Sequence, residues 1–441
     1  MAYNLVVIGG GPAGYVGAIR ASKLGMKVAL VERDALGGTC LNRGCIPTKA
    51  LLHSAETYHD AKSYDSLGVV VTGVEYNEEV VYQRKDKVVS TLRDGIRALI
   101  KAGKIDLYEG QASFEDSTHI RVNDSVLEGE HVLIATGSSP ATLPIKGIEN
   151  ALTSDGVLSA PVEGRKIAII GGGVIGMEFA SYFSAIGKEV VVIEAADKIL
   201  PALSKEVSVQ LGAYMKKNGV TIMTASKVTE IGPDFVKVDK GGVESVVDCD
   251  KVIVAVGRKA NICGLHLEKA GVEHDRFIKV DSSFKTTAEG VYAVGDVVGG
   301  VQLAHYASAS AITAVENMLG LPCSTDLSVL PSCVYTTPEI AVVGASTGAK
   351  TGKFLLGANG RALINGLDRG YIKIVADEND VVIGGELFGR GVTEMVGEVA
   401  LAIRNKLTVG QVASTIHPHP TVYESIAEAC EDVVGLSTHK K

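Results

Sequence analysis

Long apolar runs are missing from this chain. None reaches the roughly 20 residues that a membrane-spanning helix needs, so no membrane partner is expected. Positive charge is not in excess either. The chain has 51 acidic against 43 basic residues, a formal charge of −8, which argues against nucleic acid or an anionic membrane surface as a partner. Cysteine is sparse and odd in number, seven in all. That cannot make a disulfide framework in so large a chain. It suits a reducing cytoplasm, where a disulfide is more often catalytic than structural. The start, Met1-Ala2-Tyr3-Asn4 into Leu5-Val6-Val7-Ile8, has neither the basic start and cleavage site of a signal peptide nor an Arg-rich transit character. A cytoplasmic location is the expectation.

What is present points to a multidomain α/β protein. Length alone, at 441 residues, suggests two to four domains. An apolar fraction of 46% and 51 glycines suit packed strands joined to helices by tight turns.

One stretch concentrates the chemistry: Gly37-Gly38-Thr39-Cys40-Leu41-Asn42-Arg43-Gly44-Cys45-Ile46-Pro47-Thr48-Lys49. An undistorted helix would hold the Cα atoms of Cys40 and Cys45 roughly 8–9 Å apart, beyond the ~7 Å limit for a disulfide. If the two bond, the backbone must bend, and Gly44 permits it. A bond made that way would be reducible rather than a buried staple. The alternative is two packed or stray thiols. The spacing does not suit zinc, and no nearby Cys or His pair completes a tetrahedral site, so no metal is expected.

Upstream lies a nucleotide fingerprint. Leu5–Ile8 reads as a buried parallel strand, followed by Gly9-Gly10-Gly11-Pro12-Ala13-Gly14, a helical pattern to about Leu24, and a strand from Val28 ending in Glu32. Glycines let the backbone approach a pyrophosphate at a helix N-terminus, and the acid accepts from ribose hydroxyls. The same unit returns at Ile167–Ile170, Gly171-Gly172-Gly173-Val174-Ile175-Gly176 and Val190–Ile193, ending in Glu194. A constant offset of 162 pairs Gly9 with Gly171, Ala18 with Ala180, Gly25 with Gly187 and Glu32 with Glu194. Two such units imply two dinucleotides.

Between the units the pattern predicts a long helix, about Asn77–Ala102, and short strands near 105–109 and 118–123. Val132–Gly137 and Val252–Gly257 each read as a strand ending in a glycine turn. Val291-Tyr292-Ala293-Val294-Gly295-Asp296 places a carboxylate where it could meet a polyol, or could serve an Asx turn. The last segment has no fingerprint. It ends in His417-Pro418-His419-Pro420-Thr421-Val422-Tyr423-Glu424, in which His419 and Glu424 could be an acid–base pair or a turn with a solvated imidazole.

Taken together these motifs resemble the pyridine nucleotide–disulfide oxidoreductases, over essentially the whole chain, and within them the branch that oxidises dihydrolipoamide. The residues that carry the likeness are GGTCLNRGCIPTKALL from Gly37, IGGGVIGMEFA from Ile170, VYAVGDV from Val291 and HPHPTVYE from His417. The resemblance implies an α/β fold: two Rossmann-like dinucleotide-binding domains, then a C-terminal α+β dimerisation domain. Expected divisions are 1–145 for FAD, 146–262 for NAD, 263–327 as a central segment completing the FAD site, and 328–441 as the interface.

By the same resemblance, Gly9, Gly11, Gly14, Glu32, Gly38, Thr39, Lys49, Gly137 and Asp296 would hold FAD, with Ala112 and Ala304 as further contacts. Gly171, Gly173, Gly176, Glu194, Val228 and Gly257 would hold NAD. Lys49 and Glu178 would form an ion pair beside both rings. Cys45 would be the flavin-side sulfur of a redox disulfide and Cys40 the one that exchanges with substrate. His419, oriented by Glu424, would serve the disulfide of a second subunit, which implies a homodimer. Glu194, followed by Ala195-Ala196 rather than arginines, favours NAD over NADP, and so dihydrolipoamide over glutathione. The chain contains no lipoyl-lysine domain, so the lipoyl group must sit on another protein. A glutathione-type or other low-molecular-weight disulfide reductase is the rival enzyme, and a flavoprotein subunit without catalysis the rival of another class. Two departures stand out. Ala260 replaces a usual proline, and only Ala345–Gly352 separates Val343-Gly344 from Lys353-Phe354, where the family carries a longer helical segment.

Overall fold

Leu5, Val6, Val7 and Ile8 are apolar in succession because their strand, β1 (Ala2–Ile8), is covered on both faces. It lies at the middle of a mixed sheet, parallel to both its neighbours, in a computed structural model that describes residues 2–367 and 369–440. α1 (Pro12–Lys23) returns the chain to β2 (Val28–Glu32). Then come α2 (Gly38–Arg43), α3 (Cys45–Ala61) and α4 (Glu78–Ala102). The Asn77 side chain caps α4 by accepting from the Val80 N–H at 3.1 Å, with Glu78 and Glu79 in the first turn. β3 (Asp106–Glu109), β4 (Ala112–Phe114), β5 (His119–Val122) and β6 (Ser125–Ile134) complete the order β3-β2-β1-β6-β5-β4.

The second unit begins with β7 (Ser138–Pro140), β8 (Ala151–Leu152) and α5 (Ser154–Ser159). It repeats the strand–helix–strand pattern in β9 (Lys166–Ile170), α6 (Val174–Ala185) and β10 (Glu189–Ile193). α1 and α6 begin and end 162 residues apart, at 12 and 174 and at 23 and 185. α7 (Lys205–Lys217) leads to β11 (Val220–Met223). An antiparallel sheet, β12 (Lys227–Ile231), β13 (Phe235–Lys240) and β14 (Val243–Asp248), packs Ile231, Val236 and Val238 against Ala168, Ile170 and Ile193. β15 (Lys251–Val254) closes the parallel order β11-β10-β9-β15-β8, and β16 (Arg258–Ala260) pairs antiparallel with β7 between the two units.

After α8 (Leu267–Ala270) the chain comes back to the first unit. β17 (Val291–Ala293) lies parallel to β6, Val291 opposite Val132. α9 (Ala304–Met318) packs Ala307, Ala311, Ala314 and Val315 into the core that holds Ala18 and Ala21, and Arg20 pairs with Glu316.

The last body is an antiparallel sheet under helices. Its elements are β18 (Ser332–Val334), β19 (Glu339–Gly344), β20 (Lys350–Leu355), α10 (Gly360–Ile364), β21 (Tyr371–Ala376), β22 (Val382–Gly389), α11 (Val392–Arg404), α12 (Val409–Ala413) and α13 (Glu424–Val433). The order is β18-β19-β22-β21-β20, so β20 lies three strands from β19. Three strand spacings are about 14 Å, and the six residue steps from Gly344 to Lys350 reach up to about 20 Å. The short connection therefore closes the sheet without the longer segment.

Candidate active site

A single cavity of about 950 Å³ runs through the first unit and ends against the second and the last. At one end the Gly9–Gly11 turn meets the N-terminus of α1, where free N–H groups and the helix dipole favour a phosphate. Gly14 lies behind it. A Cβ there would overlap the Gly9 carbonyl oxygen, so only glycine lets α1 seat on β1. Glu32 is clamped by backbone, accepting from Gly10 N at 2.6 Å and Asp34 N at 2.8 Å. Burial pushes its carboxyl above the usual range, against the pull of the Gly10 N–H.

Glu194 is clamped in the same way, by Gly172 N at 2.5 Å and Ala196 N at 2.7 Å. Gly171, Gly173 and Gly176 form the turn into α6, Gly257 follows β15, and Val228 is half-buried on β12. None of these six lines the large cavity, but Val174, Ile175, Glu178 and Phe179 of α6 do. The second fingerprint thus abuts the cavity through its own helix.

Of the residues expected to hold FAD, all but Gly14 line the cavity: Gly9, Gly11, Glu32, Gly38, Thr39, Lys49, Ala112, Gly137, Asp296 and Ala304. Asp296 is held from outside its own turn. Ser138 Oγ donates to its Oδ2 at 2.5 Å, and Arg258 grips Ser138 through Nε to Oγ and an NH2 to the carbonyl, both at 2.7 Å. Neither Ser138 nor Arg258 is among the residues that the sequence pattern marks for this site. A charged residue directly after an apolar strand and its glycine was the available signal.

The cysteines face each other across a broken helix. α2 stops at Arg43, Gly44 takes φ −148° and ψ −114°, and α3 begins at Cys45. A Cβ at Gly44 would lie 2.9 Å from the Thr39 carbonyl oxygen and 3.3 Å from Cys40 Cα, so glycine is what lets the two helices meet. Both residues are thiols here, sharing a hydrogen bond. That bond lowers the Cys45 pKa to about 7, helped by Lys49 one turn on, while it and burial push the Cys40 thiol up. Cys45 also stands at the N-terminus of a 17-residue helix, where a thiolate is favoured.

Lys49 ties three bodies together. Its Nζ donates to Glu178 Oε2 at 2.7 Å and lies 4.6 Å from the ring centre of Tyr335. The other oxygen of Glu178 accepts from Tyr335 N at 3.0 Å. Nothing in the local sequence marked Tyr335, which is 286 positions from Lys49. Cys333, two residues earlier on β18, lines the cavity as a third thiol, its pKa raised to about 11 by burial.

His419 and Glu424 do not line the cavity. They do pair, Nδ1 to Oε1 at 2.8 Å, and Thr421 N donates to Glu424 Oε2 at 2.8 Å. These contacts, the Thr421 N–H first, hold the Glu424 carboxyl below the usual range. The His419 side chain is 80% exposed. His417 is tied down instead, with Nδ1 at 2.8 Å from the Thr415 carbonyl and Nε2 at 2.8 Å from Glu398. No cluster of three or more metal-ligating side chains occurs among the described residues, and no helix among them is long and apolar enough to cross a membrane.

With one sulfur activated beside the first glycine turn, and the helix of the second fingerprint at the same cavity, the site can couple dithiol exchange to a dinucleotide, which is the work of flavin-dependent disulfide oxidoreductases. The chain belongs to the pyridine nucleotide-disulphide oxidoreductases: that family model matches residues 3–311, and the model of the family's dimerisation domain matches 330–430. It is 41% identical to a dihydrolipoyl dehydrogenase of Bacillus subtilis over 472 aligned positions, covering 99% of each chain, and 38% identical to one of Chlamydia muridarum, covering 99% of this chain and 98% of the other. Among solved structures it is similar to LpdA from Mycobacterium tuberculosis, with TM-score 0.90, 27% identity and coverage of 97% and 99%. It also resembles the HOCl-induced flavoprotein disulfide reductase RclA from Escherichia coli, at 0.87, 29%, and 97% and 99%. The dimerisation domain supports a homodimer.

Members of this family use FAD and NAD(P), and the residues here fit an extended dinucleotide. A phosphate would meet the uncapped N-terminus of α1 and a ribose would meet Glu32, both at the cavity wall.

Proposed function

We propose that the protein oxidises dihydrolipoamide borne by another protein, a 2-oxoacid dehydrogenase acyltransferase or a glycine cleavage carrier, and passes the electrons to NAD⁺. The observation that carries the reading is the Cys40–Cys45 pair at the head of α3 with Lys49 and Glu178 beside it. FAD, when bound, supplies the two-electron relay between the enzyme dithiol and the nicotinamide.

The chain's residues do the sulfur and proton chemistry. With the pair oxidised, a substrate thiolate attacks Cys40 Sγ, the Cys40–Cys45 bond breaks, and Cys45 leaves as the thiolate that its low pKa favours. The second substrate thiol attacks the mixed disulfide, releasing the substrate's cyclic disulfide and Cys40 as thiol. His419, held by Glu424, takes the substrate's proton. It stands outside its own chain's cavity, which agrees with what the family resemblance implies, that it serves the sulfur pair of a second subunit. Glu194, with both oxygens occupied by backbone and no arginine following, accepts from a ribose 2′-hydroxyl and repels a 2′-phosphate.

The test is a steady-state comparison of NADH-driven lipoamide reduction with NADPH-driven reduction of glutathione disulfide. A kcat/KM at least a hundredfold higher for the NADH–lipoamide pair is expected. Preference for NADPH would refute the Glu194 reasoning, and preference for glutathione disulfide the substrate.

A further inference from the structure

Asp296 sets a problem of charge. Its carboxylate lines the cavity close to the place where a phosphate is favoured. The residue before it, Gly295, lies so near the first turn of α1 that a Cβ there would be 3.4 Å from Ala13 Cβ. An anion at that position cancels part of the positive potential that the N-terminus of α1 offers to a phosphate. The counter-charge comes from the second unit. Arg258 follows β15 and the Gly257 turn, and β16 carries it across to β7. Its guanidinium donates to Ser138 Oγ and to the Ser138 carbonyl oxygen, both at 2.7 Å, and its Nε lies 3.8 Å from Asp296 Oδ2. With a donor already on its oxygen, the Ser138 hydroxyl turns its own proton to Asp296 Oδ2 at 2.5 Å. The same guanidinium reaches Thr39 Oγ1 at 3.5 Å. Thr39 follows Gly38, where a Cβ would lie 2.6 Å from Gly11 Cα in the phosphate turn. The cluster is sunk in the wall: Ser138 is 2% exposed, and the side chains of Arg258 and Asp296 are 13% and 22% exposed. Asp296 Oδ1 meets no partner among the described residues.

We propose that Arg258 is a positioning residue for FAD. Through Ser138 it offsets the charge of Asp296 and fixes the carboxylate, so that the free oxygen accepts from a cofactor hydroxyl while a diphosphate binds at the neighbouring turn. Without that offset, the hydroxyl acceptor and the anion site would oppose each other. Because Arg258 belongs to the second unit, the first unit's hold on its cofactor depends on how the second is seated. The proposal rests on the fit to FAD and not on the identity of the dithiol.

The test uses the holoenzyme with Arg258→Met, Arg258→Lys, Asp296→Asn and the double variant Arg258→Met/Asp296→Asn. Serial dilution and ultrafiltration, with free flavin read by fluorescence, give the FAD Kd. NADH binding is measured at saturating FAD, and melting curves check that each variant is folded. Arg258→Met should raise the FAD Kd about tenfold or more, the loss of one charged hydrogen-bonding partner, with NADH binding unchanged. Arg258→Lys keeps the charge without the fork and should recover part of the loss. The double variant decides between roles. If the unpaired carboxylate is what opposes the cofactor, removing its charge should tighten FAD binding about threefold or more relative to Arg258→Met alone. A merely structural Arg258 would give a further loss instead. Should Arg258→Met fail to fold, Ser138→Ala, which removes only the hydroxyl bridge, takes its place in both comparisons, with a loss of about fivefold expected. FAD binding within about twofold of the native protein, a double variant no tighter than the single one, or a loss confined to NADH overturns the proposal. None of these readouts involves a dithiol substrate, so they stand even if lipoamide is the wrong one.

Discussion

Replacing Lys49 by methionine should make the Cys45 thiol a weaker acid, by an amount the geometry bounds. Four positions apart on α3, the two side chains are about 6 Å apart at their roots. At an effective dielectric of about 20, a unit charge at that distance contributes roughly 2.8 kcal/mol, or about two pKa units. Lys49 is 32% exposed and shares its charge with Glu178 at 2.7 Å, so about one unit survives. The Cys45 pKa should rise from about 7 to about 8, and the thiolate fraction at pH 7 should fall from about a half to about a tenth. Cys40→Ala should raise it further, because the thiol hydrogen bond is the largest stabilising cause, whereas Glu178→Gln should lower it slightly by removing a repelling carboxylate. The assay is anaerobic alkylation of the reduced holoenzyme with iodoacetamide across pH 5–10, counting only the Cys45 peptide by mass spectrometry, since Cys263 and Cys323 are exposed and also react. The linked stability has a definite sign. A depressed folded-state pKa contributes stability above the unfolded value, near 8.5, which fades as pH falls toward 7. An equal or larger rise in Lys49→Met than in Cys40→Ala, or a fall, would refute the reasoning.

The same ion pair should show asymmetry in stability. Lys49→Met strands Glu178, 3% exposed, at a cost of about 3–5 kcal/mol, whereas Glu178→Gln still accepts from Tyr335 N and leaves Lys49 partly solvated, at about 1 kcal/mol; melting temperatures should fall in the order native, Glu178→Gln, Lys49→Met, and the reverse order would count against it. Gly44→Ala should keep the flavin while slowing or preventing the Cys40–Cys45 bond, because its Cβ would press on Thr39 and Cys40; thiol titration after mild oxidation reads this directly. Glu424→Gln keeps an acceptor for Thr421 N but removes the charge beside His419. Turnover should drop by about tenfold or more with NAD⁺ affinity unchanged, and an unaltered kcat would remove His419 from the proposed route.

The parts of the molecule written in short segments were legible in the sequence. α1 and α6 could be placed because glycine turn, apolar strand and terminal acid recur within about thirty residues, and α4 because Asn77, Glu78 and Glu79 announce its start. What could not be read is held over long separations. Ser138 reaches Asp296 across 158 positions and Arg258 across 120, contacts created only when β17 enters the first sheet and β16 pairs with β7. Tyr335 meets Lys49 because the segment leaving β18 runs beside α6, a matter of domain packing rather than of any local pattern. At His419 the structure shows both features that the sequence offered as alternatives, an exposed imidazole and a pairing with Glu424, so spacing alone did not separate them.

Those long contacts explain how separately folding bodies keep a sulfur pair in register with two nucleotide crevices. Glu178 belongs to the second unit, Lys49 to the first and Tyr335 to the last, and the carboxylate can satisfy both of its buried oxygens only when all three are seated. Any drift of one body exposes a buried charge to a partnerless site, a cost several times that of a surface ion pair. Two further ties flank it. Thr337 N donates to Ser181 Oγ at 2.9 Å, and Arg390 holds Glu56 and Asp60 of α3 at 2.8 and 2.6 Å. α3, which carries Cys45 at its head, is thereby braced along its length by the body that matches the family's dimerisation domain. Through that brace, association of subunits can fix the position of the reactive sulfur without any covalent link between the domains.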